Sequence, residues 1–418
     1  MPAHRFSILS LMVFGACAHP RAGTGGAATP TETSCLLSTG PAASRAPVIR
    51  IGLTDPVEPR HAPIPTNDGE RLVFRHLYET PVRLDCEGKA TPELAETWVK
   101  EDDGRRWTFR LRDGAQFWDG APVTAQDVVF GRGGLGYTLG ALEPRVVTVR
   151  LAKQANELPP ILADPGLAIV KPAPDTSWPI GTGAYWATSA TTTAQEIRAQ
   201  NSRGDTLVFR VAAGGDARDL LDAGVDLLVT RDRALRDYAA TLKDRAVVAL
   251  PWDRIYVYVT PDAGGGGGSP RFDGLEQAVR AEARSPEGGS WWLDLRPCGM
   301  GSDTSSAPAT TGQRRILYAR SDPTARDLAG RLAALTRAVA TARSNDDLKA
   351  AVAAGKDWGY IVALPRTTAD PCRTARALLP QWSATITALV ETRPTAIVRR
   401  GVARWALDQD GTVHLAAP

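Results

Sequence analysis

Residues able to act as nucleophiles, metal ligands or redox groups are few in this sequence. The cysteines are Cys17, Cys35, Cys86, Cys298 and Cys372, and the histidines are His4, His19, His61, His76 and His414. No CxxC occurs and no two histidines stand at ligand spacing, so no metal site is expected. His61 and His76 read as ordinary surface or core histidines. GxSxG, HExxH and GxxxxGK[ST] do not occur in the sequence, and an enzyme is not expected. One phosphate-type motif is present, Gly131-Arg132-Gly133-Gly134-Leu135-Gly136, which fits G-x-G-x-x-G. A dinucleotide loop must leave a strand and open a helix, where free N–H groups meet the pyrophosphate. Here Asp127-Val128-Val129-Phe130 continues a helix that Thr124 starts, so the glycines read as that helix's end. No cofactor is expected.

Composition narrows the possible partners. Lys and Arg number 49 against 46 Asp and Glu, a net charge of +3 with the basic residues scattered, which excludes a nucleic-acid surface. Mean hydropathy is −0.19, and no run approaches the ~20 apolar residues of a spanning helix. At 418 residues the chain is long enough for more than one domain.

The N-terminus reads as an export signal. His4 and Arg5 precede an apolar core, Phe6 to Ala16, too short to span a bilayer. Its end, Val13-Phe14-Gly15-Ala16-Cys17, resembles a bacterial lipobox, although Phe14 stands where an aliphatic residue is usual. Two readings follow: lipidation of Cys17, with a membrane anchor, or plain secretion with cleavage near Ala16 or Ala18. Residues 18–34 have the Gly/Ala/Thr/Pro composition of a tether. Without Cys17, an even number of cysteines remains, as an oxidising compartment favours. Three connectivities are possible; Cys35–Cys86 with Cys298–Cys372 closes each pair within one half of the chain.

The elements that would position a site come next. Residues 47–53 read as a strand and 70–78 as a helix. Strand 107–111 alternates as a half-buried strand does, and Asp113-Gly114 and Asp119-Gly120 bracket a hairpin. From 206 onward strands and helices alternate, at 206–212, 216–224, 225–229, 233–243, 246–250 and 254–260. A second such unit follows, with a strand at 316–318, a helix capped by Thr324 that carries Leu328, Leu332, Leu335 and Val339 on one face, a helix 346–354 stopped by Gly355, and a strand at 358–362. Two α/β units imply two lobes. Between them stand GGGGGS at 264–269 and a second flexible composition at 299–313.

An ordered series of segments then resembles a known family. These are Leu77–Val82, Thr91–Trp98, Trp107–Gly114, Phe117–Val128 and Gly181–Tyr185. The chain resembles the family 5 extracellular solute-binding proteins of ABC importers, of dipeptide-, oligopeptide- and nickel-binding type. The resemblance implies an α/β periplasmic-binding-protein type II clamshell: two α/β lobes plus a hairpin-rich inserted domain. It divides the chain into a signal peptide at 1–16 and a tether at 17–46. Domain I would be 47–62, 172–262 and 386–418, domain II 63–171, and domain III, a shortened second lobe, 263–385. Ligand would lie between domains I and III. The ligand-binding candidates are Asp55, Tyr78, Trp186, Trp358, Tyr360 and Asp370; the plainer reading of each aromatic is core packing, and of Asp55 a turn before Pro56. The partners implied are a peptide or other small solute, an ABC permease with its ATPase, and the membrane through lipidated Cys17, for a periplasmic or cell-surface monomer. A rival reading is an envelope lipoprotein that uses a degenerate form of this fold for sensing or scaffolding.

Overall fold

The computed structural model describes residues 35–37, 46–129, 137–157, 160–174, 178–189, 195–212, 215–261, 290–292, 298–299, 313–365 and 384–416. The expected signal peptide, Cys17, the glycine motif at 131–136, the GGGGGS run and Asp370 lie outside the described residues.

The chain opens with β1 (Val48–Leu53), which buries Ile49, Ile51 and Leu53 on one face, while Gly52 on the other lies against Leu220, Val225 and Leu228. Helix α1 (Asp68–Leu77) starts where the Asn67 side chain accepts from the Glu70 N–H at 2.8 Å, and it lays Leu72, Val73 and Leu77 onto β1. The short hairpin β2 (Val82–Leu84) and β3 (Ala90–Pro92) follows. Next come β4 (Ala95–Glu101), β5 (Arg106–Leu111), the one-turn helix α2 (Ala125–Val129), β6 (Tyr137–Glu143) and β7 (Val146–Leu151). These strands pair in the antiparallel order β4-β5-β7-β6 over a core of their own. Thr124 does not cap α2 with its side chain; it donates from both N–H and hydroxyl to Asp127, at 2.7 Å each.

The chain then returns to β1. Strands β8 (Glu196–Gln200) and β9 (Thr206–Val211), helix α3 (Arg218–Asp222), β10 (Leu227–Thr230), helix α4 (Arg233–Ala240) and β11 (Arg245–Ala249) build the first α/β layer. The second layer holds β12 (Arg254–Pro261), β13 (Ser290–Trp292), β14 (Cys298–Gly299), β15 (Arg315–Ala319), α5 (Pro323–Thr336), β16 (Val339–Arg343), α6 (Asn345–Ala354), β17 (Gly359–Pro365) and β18 (Ala384–Thr392). Strand β19 (Thr395–Arg399) goes back to the first sheet, and the hairpin β20 (Trp405–Leu407) with β21 (Val413–Leu415) packs against α1.

The first sheet runs β11-β19-β10-β1-β9-β8 and the second β13-β18-β12-β17-β15-β16, with β14 also on β18. Because β12 and β18 both belong to the second sheet, the chain crosses between layers at 250–253 and 393–394. Those crossings precede the expected 262 and follow the expected 386, because β12 and β18 pair along their whole length. Helix α5 also departs from expectation. Asp322, not Thr324, caps it by accepting from the Ala325 N–H at 2.9 Å, and it stops at Thr336. Leu335 is therefore exposed and Val339 begins a strand. Gly355 ends α6 with φ 62°, the left-handed turn expected of it.

A disulfide joins Cys35 to Cys86 with Cα atoms 5.5 Å apart, the first of the two expected pairs. Cys372 lies outside the described residues, so the second expected pair does too. The segment also pairs locally, Leu37 N donating to Trp405 O at 2.8 Å.

Candidate functional site

Parallel β1, β9 and β10 of the first layer share one carboxyl edge, and the carboxyl end of β15 in the second layer lies on the edge that meets it. The rule for open α/β sheets places ligands outside such ends. Leu53 ends β1, and two residues on Asp55 lies half-buried beside the start of α1, accepting from the Gly69 N–H. Thr230 ends β10, and Arg231 follows with a side chain only 6% exposed. Ala319 ends β15, and buried Asp322 follows it at the N-cap of α5. Asp253 and Arg254 lie at the amino end of β12, which runs antiparallel to β17 and so reaches the same edge.

These groups meet. Arg254 donates to Asp68 at the first turn of α1 and stands 3.9 Å from Asp322. Arg231 grips Asp253 with two guanidinium nitrogens and lies 3.5 Å from Asp68. Tyr256 donates its buried hydroxyl to both Asp322 oxygens, at 3.0 and 2.8 Å. A second bridge between layers runs from Asn345, opening α6, to the Thr66 carbonyl at 3.4 Å. A gap of about 40 Å³ beside Asp55, Asp68 and Arg231 completes the place.

The electrostatics follow from four carboxylates facing two guanidiniums. Burial, then repulsion from Asp68, raises the Asp55 carboxyl from 3.8 to about 7, against the pull of Gly69 N–H and Arg254. Burial pushes Asp68 the same way, but Arg254 and Arg231 outweigh it and hold that carboxyl below its ordinary value. Arg231 and Arg254 keep their protons more firmly than usual: burial opposes this, and Asp253 and Asp68 overcome it. At neutral pH Asp55 is thus poised between charged and neutral, and the cluster carries an excess of acid.

The structure separates the residues expected to share the ligand site. Asp55 alone of the described candidates reaches the place where the layers meet. Tyr78 caps the far end of α1, 5.8 Å from Phe74. Trp186 stacks on Trp118 at 6.1 Å and 9° beyond edge strand β8, where its backbone pairs with Gln200. Tyr360 is fully buried at the amino end of β17, its hydroxyl accepting from the Asp357 N–H at 2.9 Å. Trp358 precedes it, edge-on to Tyr258 at 6.3 Å. That end of β17 is about 17 Å from its carboxyl end at ~3.3 Å per residue, so these two rings lie at the edge remote from Arg254. Asp68, Arg231, Asp253, Arg254 and Asp322 were not among the expected residues. Their signal was present as charged residues just past strands 225–229 and 316–318 and just before strand 254–260.

The described histidines, His61, His76 and His414, each have a local partner. His61 Nδ1 is 2.7 Å from Glu70, His76 Nδ1 contacts the Leu72 carbonyl at 2.7 Å, and His414 Nε2 is 3.2 Å from Asp408. His61 and His76 do not meet. Among the described residues no group of three or more His, Cys, Asp or Glu is placed to hold a metal ion, and no helix is long and apolar enough to cross a membrane.

Two α/β layers that face one another across carboxyl edges, with an antiparallel insert, define the periplasmic-binding-protein type II fold. Solved structures agree. The dipeptide-binding protein of Pseudoalteromonas sp. SM9913, in complex with Met-Leu, superposes with a TM-score of 0.64 at 14% identity, covering 88% of this chain and 98% of that one. The NikA of Brucella suis, in complex with Fe(III)-EDTA, gives 0.60 at 14% identity, covering 88% and 100%. In sequence, residues 89–200 match the model of the bacterial extracellular solute-binding proteins, family 5 Middle. The periplasmic murein peptide-binding protein MppA of Escherichia coli is 48% identical over 61 residues, which is 15% of this chain and only 11% of that relative's length. Over residues 89–200 the chain is thus similar to the family 5 extracellular solute-binding proteins, and it spans only about a tenth of the length of the curated relatives it matches.

Proposed function

We propose that this chain is the substrate-binding component of an ABC importer, which captures a peptide or similar small solute between its two α/β layers and delivers it to a permease and its ATPase. The observation that carries the reading is the Arg254–Asp68 pair, which bridges the layers at their facing carboxyl edges. A ligand that touches both layers stabilises their closed arrangement by its differential affinity. The excess of carboxylates over guanidiniums favours a ligand with a cationic group, such as the ammonium of a peptide, and Asp55 is the group placed to gain charge when it arrives. Export to the periplasm or cell surface, anchored through Cys17, accords with the periplasmic relatives and with the N-terminal sequence.

Native mass spectrometry of the protein purified from its own host tests this. A co-purified small molecule is expected, and it is expected to be lost in Asp322→Ala. A clean ligand-free mass under gentle conditions contradicts the reading.

A further inference from the structure

A second cavity lies along α1 from Arg71 to Tyr78. It measures about 440 Å³ and opens among α1, β2, the turns at 160–167 and the β20–β21 turn. Ligand pockets occupy roughly 300–1,000 Å³ and are mainly apolar with few convergent polar groups. The walls here are Pro63, Pro65, Phe74, Leu84, Ile161 and Pro165. Ile161 is 37% exposed at the cavity, an apolar side chain with no covering element.

The polar part of the wall is selective. Arg75 is already engaged: it donates to Glu93 at 2.8 Å and to Asp408 at 2.5 Å. Two other lining residues have donors without acceptors. The Tyr78 hydroxyl and the Arg83 Nε are both buried and have no hydrogen-bond partner among the described residues, although Arg83 stands 3.5 Å from Asp408. Buried donors left unmade are costly, and a native chain seldom keeps two beside one cavity. Both can donate, which an oxygen acceptor would satisfy; Asp408 Oδ1, also on the wall, is likewise buried without a hydrogen bond among the described residues.

We infer that this cavity is a binding site for an amphiphile with an apolar body and an anionic or carbonyl oxygen, held by Tyr78 and Arg83. Tyr78 lies about 15 Å along α1 from Asp68, at ~1.5 Å per residue, while Arg71 and Asp410 line both this cavity and the gap beside Asp68. Tyr78 serves here rather than at the facing edges.

The test uses the full exported chain with two probes, 1-anilino-8-naphthalenesulfonate and decanoate. The naphthalenesulfonate is expected to bind with one-to-one stoichiometry and enhanced fluorescence, and decanoate to displace it while decylammonium does not. Tyr78→Phe removes a hydroxyl that bonds nothing among the described residues, so melting should not change while both probes weaken about tenfold, the loss of one hydrogen bond. Ile161→Glu, at an exposed wall, should weaken both as well, and Arg254→Ala should leave them unaltered. The inference is overturned if neither probe binds up to millimolar concentration, if Tyr78→Phe binds as the parent does, if decylammonium competes equally, or if Arg254→Ala abolishes binding.

Discussion

Replacing Asp55 by Asn isolates the group on which the meeting of the two layers turns. The Asp55 carboxyl is raised from 3.8 to about 7 by burial and by Asp68. Folding with this group protonated buries no charge, so its contribution is complete below pH 3.8 and is lost as pH rises through 7. A rise of that size corresponds to at most about 4 kcal/mol. Because Asp55 is only half-buried, screening by water reduces the expected effect to about 1–2 kcal/mol. Asn keeps an acceptor for the Gly69 N–H and removes the titration. His76 acts in the opposite sense. Its burial pushes it down to about 3, so its contribution is present above 6.5 and is lost as pH falls. That slope is common to both proteins and cancels in their difference. Urea unfolding at pH 5 and pH 8 should therefore show Asp55→Asn gaining about 1–2 kcal/mol on the parent between the two. Parallel stability curves across that range would refute the placement of Asp55 against Asp68.

Arg75→Met removes the guanidinium shared by Asp408 and Glu93, each under a tenth exposed, and leaves Asp408 with His414 and Arg83 and Glu93 with Thr80; a loss of about 3 kcal/mol in urea unfolding, the lower end for a broken buried pair, is expected. Arg254→Ala removes the bridge to Asp68 and the neighbour of Asp322. With the Arg254 side chain 21% exposed, the loss should be nearer about 2 kcal/mol by the same measurement. Cys86→Ser opens a crosslink between residues 51 apart, for which chain entropy gives about 4 kcal/mol; the urea midpoint should fall accordingly, and the parent should fall to match it in reductant. Trp358→Ala should leave ligand affinity unaltered in titration calorimetry, because the ring packs on Tyr258 at the remote edge.

Much of the architecture could be read from local patterns. Strand periodicity located β5, β9 and β12, and Gly355 marked the end of α6, because pleat and left-handed turns write themselves into neighbouring residues. The helix cap was misjudged by two positions, since Thr324 and Asp322 are both capping residues and only the third dimension shows which side chain reaches Ala325. The site was less legible. Asp55, taken from its place after a strand, lies where the layers meet, whereas Trp358 and Tyr360, taken as aromatics near a strand end, lie at the amino end of β17. Asp68, Arg231, Arg254 and Asp322 come from four separate stretches, and nothing within any one stretch indicates that they converge. Their pairing depends on the register of β12 with β17 and on which edge of each sheet faces the other.

The account stands on the two layers closing around a bound solute. Small-angle X-ray scattering on the purified protein, before and after saturation with the solute identified by native mass spectrometry, measures this directly. A smaller radius of gyration on binding, with the change abolished in Arg254→Ala, is the predicted result. Saturation with no change in the radius of gyration would contradict it.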